Sequence, residues 1–335
     1  MRALVTGGGG FLGKAIATRL KESGTDVRSL TRGDYPELQS LGVETLRGDV
    51  ADADAVRNAA AGCDIIFHVA AKAGVWGPYD DYHRANVTGT ENVLSACFQE
   101  NVPRLVYTSS PSVVFDGHDE AGTDETTPYP AKYLTSYPLT KAIAERSVLA
   151  ANGKRLPNGG ELSTVALRPH LIWGPGDNHL VPRLIERGRS GKLRRVGSGA
   201  NLVDTVYIDN AAQAHLLAGQ RLRPGSAVSG KAYFITNGEP VPLWGLIDRM
   251  LGCAGLPPVK RRVSARFAFV AGAILEFLYW GLGRTDEPPM TRFVAKQLST
   301  AHWFNIDAAK RDFGYQPQVT IDEGLKRLAE WLQSR

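Results

Sequence analysis

Val5-Thr6-Gly7-Gly8-Gly9-Gly10-Phe11-Leu12-Gly13 is the stretch on which the reading of this chain turns. Ala3-Leu4-Val5, at its start, reads as a buried strand, and Phe11 to Leu20 carries apolar residues at helical spacing (Leu12, Ile16, Leu20). Two glycine spacings overlap between them, Gly7-x-x-Gly10-x-x-Gly13 and Gly8-x-Gly10-x-x-Gly13. A glycine pattern alone says little; one between a first strand and a first helix says much more. Glycine reaches positive φ in the turn and lets backbone approach a pyrophosphate. The amides of Phe11, Leu12 and Gly13 and the positive end of the helix dipole then face the phosphates. The alternative is a tight glycine turn with no ligand.

Outward from this turn, the first half alternates strands and helices. Val27 to Leu30, Thr45-Leu46, Ile65-Ile66-Phe67, Leu105-Val106-Tyr107 and Thr164 to Leu167 read as strands. Asp81 to Glu100 reads as one long helix, and another starts near Pro138. Such alternation implies an α/β, Rossmann-type doubly wound parallel sheet, with ligands beyond the carboxyl ends of its strands. After Arg168 Pro and Gly become frequent, and strand-like pieces such as Thr205 to Ile208 and Ala232 to Ile235 lie among helices. The expected division is a dinucleotide-binding domain over 1–170, with 203–236 returning to it. A smaller mixed α/β substrate lobe takes 171–202 and 237–335.

Composition narrows the function classes. The 335 residues include 36 glycines without a repeat period, 22% charged and 43% hydrophobic residues, as in an ordinary globular protein. Cys63, Cys97 and Cys253 form no CxxC pair, which points away from a disulfide scaffold and toward a reducing cytoplasm. The seven histidines show no metal-ligand spacing, so no metal is expected. A net charge of +5 concentrates at Arg183 to Arg195 and at Lys260-Arg261-Arg262, with no nucleic-acid-binding motif beside it. An anionic small molecule or acidic partner suits that charge, and no nucleic acid is expected. No secretory signal is read at the N-terminus. Phe267 to Leu275 is far shorter than the ~20 residues of a membrane span. The wider segment Val263 to Gly283, interrupted by Arg266 and Glu276, reads as an amphipathic helix packed inside the protein; the alternative is a surface helix touching lipid, a greasy substrate or a partner such as a pathway enzyme.

Two further positions bear on the dinucleotide. A ribose 2′-hydroxyl is usually held by an acid at the end of the second strand. Here the strand ends Ser29-Leu30-Thr31-Arg32, so Thr31 and Arg32 favour the 2′-phosphate of NADP(H), with Asp34 keeping NAD open. In Gly48-Asp49-Val50, Asp49 is placed for the adenine amine or is simply a turn residue.

Tyr137-Pro138-Leu139-Thr140-Lys141 sets a phenol and an ammonium on one helix face. A neighbouring cation is expected to lower the phenol's pKa and ready it to protonate a carbonyl oxygen. Thr108-Ser109-Ser110 ends a strand at the same sheet edge as the glycine turn, so a serine there can hydrogen-bond the same oxygen. Asn86 lies on the preceding helix, either pairing a buried carbonyl, holding a water near Lys141, or packing helices.

Together these pieces resemble the extended short-chain dehydrogenase/reductase superfamily over nearly the whole chain. The residues that carry the likeness include Asn86-Val87-Thr88-Gly89, Arg168-Pro169, Gly174-Pro175-Gly176 and Val206-Tyr207-Ile208-Asp209. The resemblance implies catalysis by Tyr137, Lys141 and Ser110, with Ser109 and Ser112 as other readings of the serine. It implies that Lys141 also binds the nicotinamide ribose, that backbone after Pro169 lines the nicotinamide, and that Val50 and Ala70 border the cofactor. His68-Val69-Ala70-Ala71 departs from the more polar turn of many relatives. A homodimer follows by family analogy only.

Within the superfamily the chain looks like the 3β-hydroxysteroid dehydrogenase branch, through Thr108-Ser109-Ser110 and Phe313-Gly314-Tyr315-Gln316-Pro317. Ala70 to Pro78 and Arg168 to His179 are similar to bacterial 2-alkyl-3-oxoalkanoate reductases of long-chain olefin biosynthesis. That likeness implies NADPH-dependent reduction of a long-chain β-keto acid to a 2-alkyl-3-hydroxyalkanoate. Trp76, Trp173 and Phe267 to Leu282 are candidates for apolar cavity wall, and Lys72, His170 or Arg183 for the carboxylate. Core packing and solvated charge are the competing readings of each. A sterol or 3β-hydroxysteroid dehydrogenase is the alternative. A nucleotide-sugar epimerase would want an acid at the Thr31 position. An NADP-binding scaffold without catalysis would have lost Tyr137 or Lys141.

Overall fold

Strands buried on both faces read as near-continuous apolar runs, and such runs form the central strands of the main sheet. In the computed structural model, which describes residues 1–334, the strands of that sheet are β1 (Arg2–Thr6), β2 (Asp26–Thr31), β3 (Glu44–Arg47), β4 (Ile65–His68), β5 (Arg104–Thr108), β6 (Ser163–Pro169) and β7 (Lys231–Ile235). All pair in parallel, in the spatial order β7-β6-β5-β4-β1-β2-β3. The winding reverses between β1 and β4, where a doubly wound sheet opens its ligand crevice. Register brings the carboxyl ends level there: Thr6 lies opposite His68, and His68 opposite Tyr107. One apolar core fills the side of the sheet with Ala3, Val5 and Phe67, and a second fills the side with Leu4, Ile66 and Leu105.

The first helix, Phe11–Glu22, starts directly from the glycine turn. Gly7 has φ +73°, and a side chain on Gly13 would overlap the Gly7 carbonyl oxygen. Only glycine lets helix and strand approach so closely. The helix that carries Tyr137 and Lys141 runs Ser136–Ala150, so it begins two residues before Pro138. The helix expected over Asp81 to Glu100 starts instead at Tyr79 and changes pitch, with a π-helical stretch over His83–Thr88 between Tyr79–Tyr82 and Gly89–Gln99. Asn86 sits inside the widened turn, a device common near functional sites.

Beyond β6 the elements are short. Ile172–Trp173 pairs in parallel with Val206–Tyr207, so the strand expected over Thr205 to Ile208 is two residues long and lies outside the main sheet; Ile208 already begins helix Ile208–Arg221. That helix packs against the first helix. A four-stranded sheet joins Val241–Pro242, Leu202–Val203, His302–Phe304 and Glu120–Thr123. The apolar segment Phe267 to Leu282 is not packed inside. It belongs to helix Ala265–Gly281, of which only Ala268 and Gly272 are buried. Its inward face is narrow because Gly272 lies against the Thr291–Arg292 backbone, which leaves the larger side chains outside.

Candidate active site

A cleft of about 980 Å³ runs over the carboxyl edge of the sheet. Gly7, Gly10, Phe11, Leu12, Gly13, Thr31, Arg32, Asp49, Val50, Ala70, Tyr137, Lys141 and Pro169 all border it, as do Ser110, Lys72 and His170. The arrangement fits a dinucleotide. Gly10 caps the first helix with no side-chain hydrogen bond, so the first-turn amides face the cleft uncapped by the protein's own side chains. A side chain at Gly9 would collide with the Tyr35 ring, which closes this end. Arg32 is exposed on the rim, while Thr31 is buried and donates to the Gly33 carbonyl at 2.9 Å. Asp49 accepts from Ala51 N at 3.0 Å and pairs with Arg84 at 3.0 Å, so it is at least a turn residue.

At the cleft's centre Tyr137 and Ser110 line the same wall, close enough for Ser110 to act on the phenol, while Ser110 Oγ lies 2.9 Å from Ser112 Oγ. Burial raises the Tyr137 pKa, and Ser110 only partly offsets it. The expected lowering by Lys141 is not found. The Lys141 ammonium, itself buried, donates to the Thr108 carbonyl at 2.6 Å and lies 4.2 Å from the centre of the Tyr107 ring. A buried cation takes the nearest acceptor and π face, and here both belong to β5. Burial brings Lys141 down to about 7, opposed by the Glu145 carboxylate. Asn86 pairs buried backbone: its Oδ1 accepts from Lys72 N at 2.8 Å, and its Nδ2 donates to Lys72 O at 3.1 Å and to Thr140 Oγ1 at 3.0 Å.

The supporting contacts come from residues to which the sequence reading gave no role in the site. Glu145, one turn beyond Lys141, forms a buried bidentate pair with Arg168 (2.6 and 3.0 Å) and accepts from Tyr129 at 2.6 Å. Burial alone would raise its pKa; Arg168 and the hydroxyls around it hold it below the usual carboxylate range. His68 bridges Thr6 at 2.8 Å and Thr90 at 3.0 Å, and Thr6 Oγ1 accepts from Val69 N and Ala70 N at 3.2 Å. The departure at His68 is therefore a brace for the cleft-lining Ala70. Glu145 and Arg168 are 23 residues apart and His68 and Thr6 are 62 apart, so no local pattern announces either contact.

The other end of the cleft holds His170, Glu120, Phe293 and Phe304. Asp204 accepts from His170 Nδ1 at 3.1 Å and from Phe304 N at 2.9 Å. Glu120, buried, pairs one oxygen with His302 at 3.2 Å, and its other oxygen has no partner among the described residues. Leu171 takes φ +44°, a left-handed conformation that costs a non-glycine residue about 1–3 kcal/mol; it follows His170 on the cleft wall. Lys72 is engaged by Asp81 at 2.7 Å. Two predicted substrate residues lie elsewhere. Trp173 is fully buried behind the cleft, donating to Thr205 Oγ1 at 2.9 Å and packed edge-on against Tyr207. Trp76 leaves the wall after Val75 and donates to the Arg284 carbonyl at 3.1 Å. In both cases an indole N–H found its acceptor in a distant segment, which sets the ring's direction.

The chain is similar to known proteins over nearly its whole length. The chain is 54% identical over 331 residues to the 2-alkyl-3-oxoalkanoate reductase of Stenotrophomonas maltophilia (strain K279a), covering 98% of each chain. It is 54% identical over 328 residues to the enzyme of the same name from Shewanella oneidensis, covering 97% of this chain and 85% of that one. The structure of MoeE5 in complex with UDP-glucose and NAD matches with a TM-score of 0.75 at 26% identity, over 100% of this chain and 99% of that one. Residues 4–263 match the model of the 3-beta hydroxysteroid dehydrogenase/isomerase family, and the chain belongs to that family.

Proposed function

We propose that the protein reduces the 3-keto group of a 2-alkyl-3-oxoalkanoate to the 2-alkyl-3-hydroxyalkanoate with NADPH, within long-chain olefin biosynthesis. The reading is carried by the convergence of Tyr137, Lys141 and Ser110 on the one cleft that begins at the glycine turn, and the names of the two relatives at 54% identity support the substrate class. The glycine turn would hold the pyrophosphate, Arg32 the 2′-phosphate, Asp49 the adenine and Lys141 the ribose. When bound, the reduced nicotinamide supplies hydride to the C3 carbon.

Tyr137 gives its proton to the C3 oxygen, and Ser110 hydrogen-bonds that oxygen as charge builds on it. Burial, by raising the phenol's pKa, keeps the proton in place until the carbonyl oxygen becomes the stronger base. Lys141, in its ammonium form, stabilises the phenolate left behind. His170, oriented by Asp204, meets the substrate carboxylate, while Phe293 and Phe304 offer apolar surface to the alkyl chains. The buried free thiols of Cys63 and Cys97 suit a reducing cytoplasm, and a homodimer completes the reading by family precedent.

The test follows loss of the reduced-nicotinamide absorbance with NADPH and NADH against 2-alkyl-3-oxo acids, 3-ketosteroids and nucleotide sugars. Fast turnover of the β-keto acids with NADPH is expected. Tyr137→Phe should cut kcat by about 10²–10⁴-fold while NADPH affinity stays within threefold. Preference for a steroid or sugar nucleotide, or full turnover by the Phe variant, would overturn the reading.

A further inference from the structure

Helix Ala265–Gly281 buries one thin face, keeps flanks such as Phe269 and Tyr279 half-buried, and turns a broad apolar face to water. Phe267, Val270, Ile274, Phe277 and Trp280 are all exposed, Phe277 at 69% and Trp280 at 77%. At 100° per residue these five fall within an arc of roughly 140°. The opposite face is fixed: Gly272 packs on the Thr291–Arg292 backbone, and Glu276 accepts from Arg292 N and Nε, both at 2.6 Å. The apolar arc is thus held outward by a rigid anchor, and a contiguous patch of this kind marks an interaction site.

Charge around the arc identifies what covers it. Lys192, Lys260, Arg261, Arg262 and Arg266 are exposed beside the helix's N-terminal end, where Arg262 pairs with Arg195 in a short parallel ladder. Among the described residues none of these five is in an ion pair. The acids near the other end are taken up: Glu287 by Arg183, Asp286 by Arg284. An apolar arc with tryptophan at one end and unpaired cations at the other complements an anionic lipid surface. No helix among the described residues is long and apolar enough to cross a membrane, so this one would lie in the interface plane. We infer that the outer face of helix Ala265–Gly281 docks the protein on an anionic bilayer. The helix also meets the cleft mouth: Tyr279 packs edge-on against Trp76, next to cleft-lining Val75. On the proposed function, a substrate with long alkyl chains would enter from the lipid side.

Sedimentation of the full chain with vesicles tests this independently of turnover. The protein should bind phosphatidylglycerol/phosphatidylcholine vesicles at least tenfold more tightly than pure phosphatidylcholine, and 0.5 M salt should narrow the gap. Phe277→Ser with Trp280→Ser should weaken binding at least tenfold, with circular dichroism and thermal midpoint unchanged. Arg261→Gln with Arg262→Gln and Arg266→Gln should remove the preference for anionic lipid. Absence of vesicle binding, or binding indifferent to both sets of changes, overturns the inference. So does light scattering that shows a dimer which the Phe277/Trp280 variant breaks into monomers, because a second copy would then cover the face.

Discussion

Tyr137 and Lys141 show how far a motif can be taken. Their spacing correctly puts both on one cleft, but the spacing alone suggests a phenol softened by its cation, and burial reverses that. The ammonium matters through its own titration. With Lys141 brought down to about 7 by burial, its charged form is lost as pH rises through neutrality. If that form stabilises the phenolate, kcat/KM for the cofactor, which reports the free enzyme, should be flat below pH 7 and fall above it. A profile level to pH 9 would remove Lys141 from the titrating set. Arg32 is the residue on which the proposed preference for NADPH rests. It stands exposed on the cleft rim, without an ion pair among the described residues. A charge-assisted contact of about 1.5–3 kcal/mol makes Arg32→Glu raise the KM for NADPH roughly 10- to 100-fold while that for NADH changes little. Equal effects on both cofactors would show that Arg32 does not touch the 2′-phosphate.

Among the elements, the central strands of the main sheet were legible because burial on both faces leaves an apolar run that needs no partner to be recognised, as in Ile65–His68 and Arg104–Thr108. The two-residue strands of the smaller lobe carry no such run; they exist through pairing with distant segments, as Val206–Tyr207 does with Ile172–Trp173. Helix Ala265–Gly281 was misplaced for a related reason: apolar residues at helical spacing look the same whether a neighbour or solvent lies outside them. The glycine turn's place between strand and helix was legible, since its requirement is local backbone geometry, and a paired substitution tests it. An alanine methyl at Gly13 would meet Gly7 and Gly8 backbone, which cannot rotate away. Gly13→Ala should therefore destabilise the protein by about 1–3 kcal/mol and weaken dinucleotide binding. Gly252, inside helix Leu243–Cys253, has open space around it; Gly252→Ala should stabilise by about 0.4–1 kcal/mol with binding unchanged. Denaturant midpoints and cofactor titrations on the two variants check this, and similar shifts in both would mean that the close approach at Gly13 is not required.

For the whole molecule, the buried imidazoles set a pH limit that no motif reveals. Burial lowers His68 to about 3, and Lys141 adds to the effect; burial lowers His215 to about 4 despite its bond to the Ala211 carbonyl; burial lowers His302 as well, against the pull of Glu120. In the unfolded chain each titrates near the ordinary value of roughly 6.5. Between that value and the folded ones, the unfolded state holds protons that the folded state refuses, so stability must fall as pH drops through this window. Three such groups give a slope of up to about 4 kcal/mol per pH unit, large against a total stability of about 5–15 kcal/mol. Lys141 acts in the same sense in a higher window: unfolded it keeps its proton to roughly pH 10.4, folded only to about 7, so stability rises with pH between those values. The protein should therefore be most stable on the alkaline side of neutrality and unfold cooperatively on acidification well before its ordinary carboxylates titrate. Calorimetry between pH 8 and pH 4.5 should show a steep fall in Tm below about pH 6.5, with net proton uptake on unfolding. A Tm unchanged from pH 7 to pH 5 would mean that these histidines are reached by water or protonated in the folded state, and the neutral brace assigned to His68 would have to be abandoned.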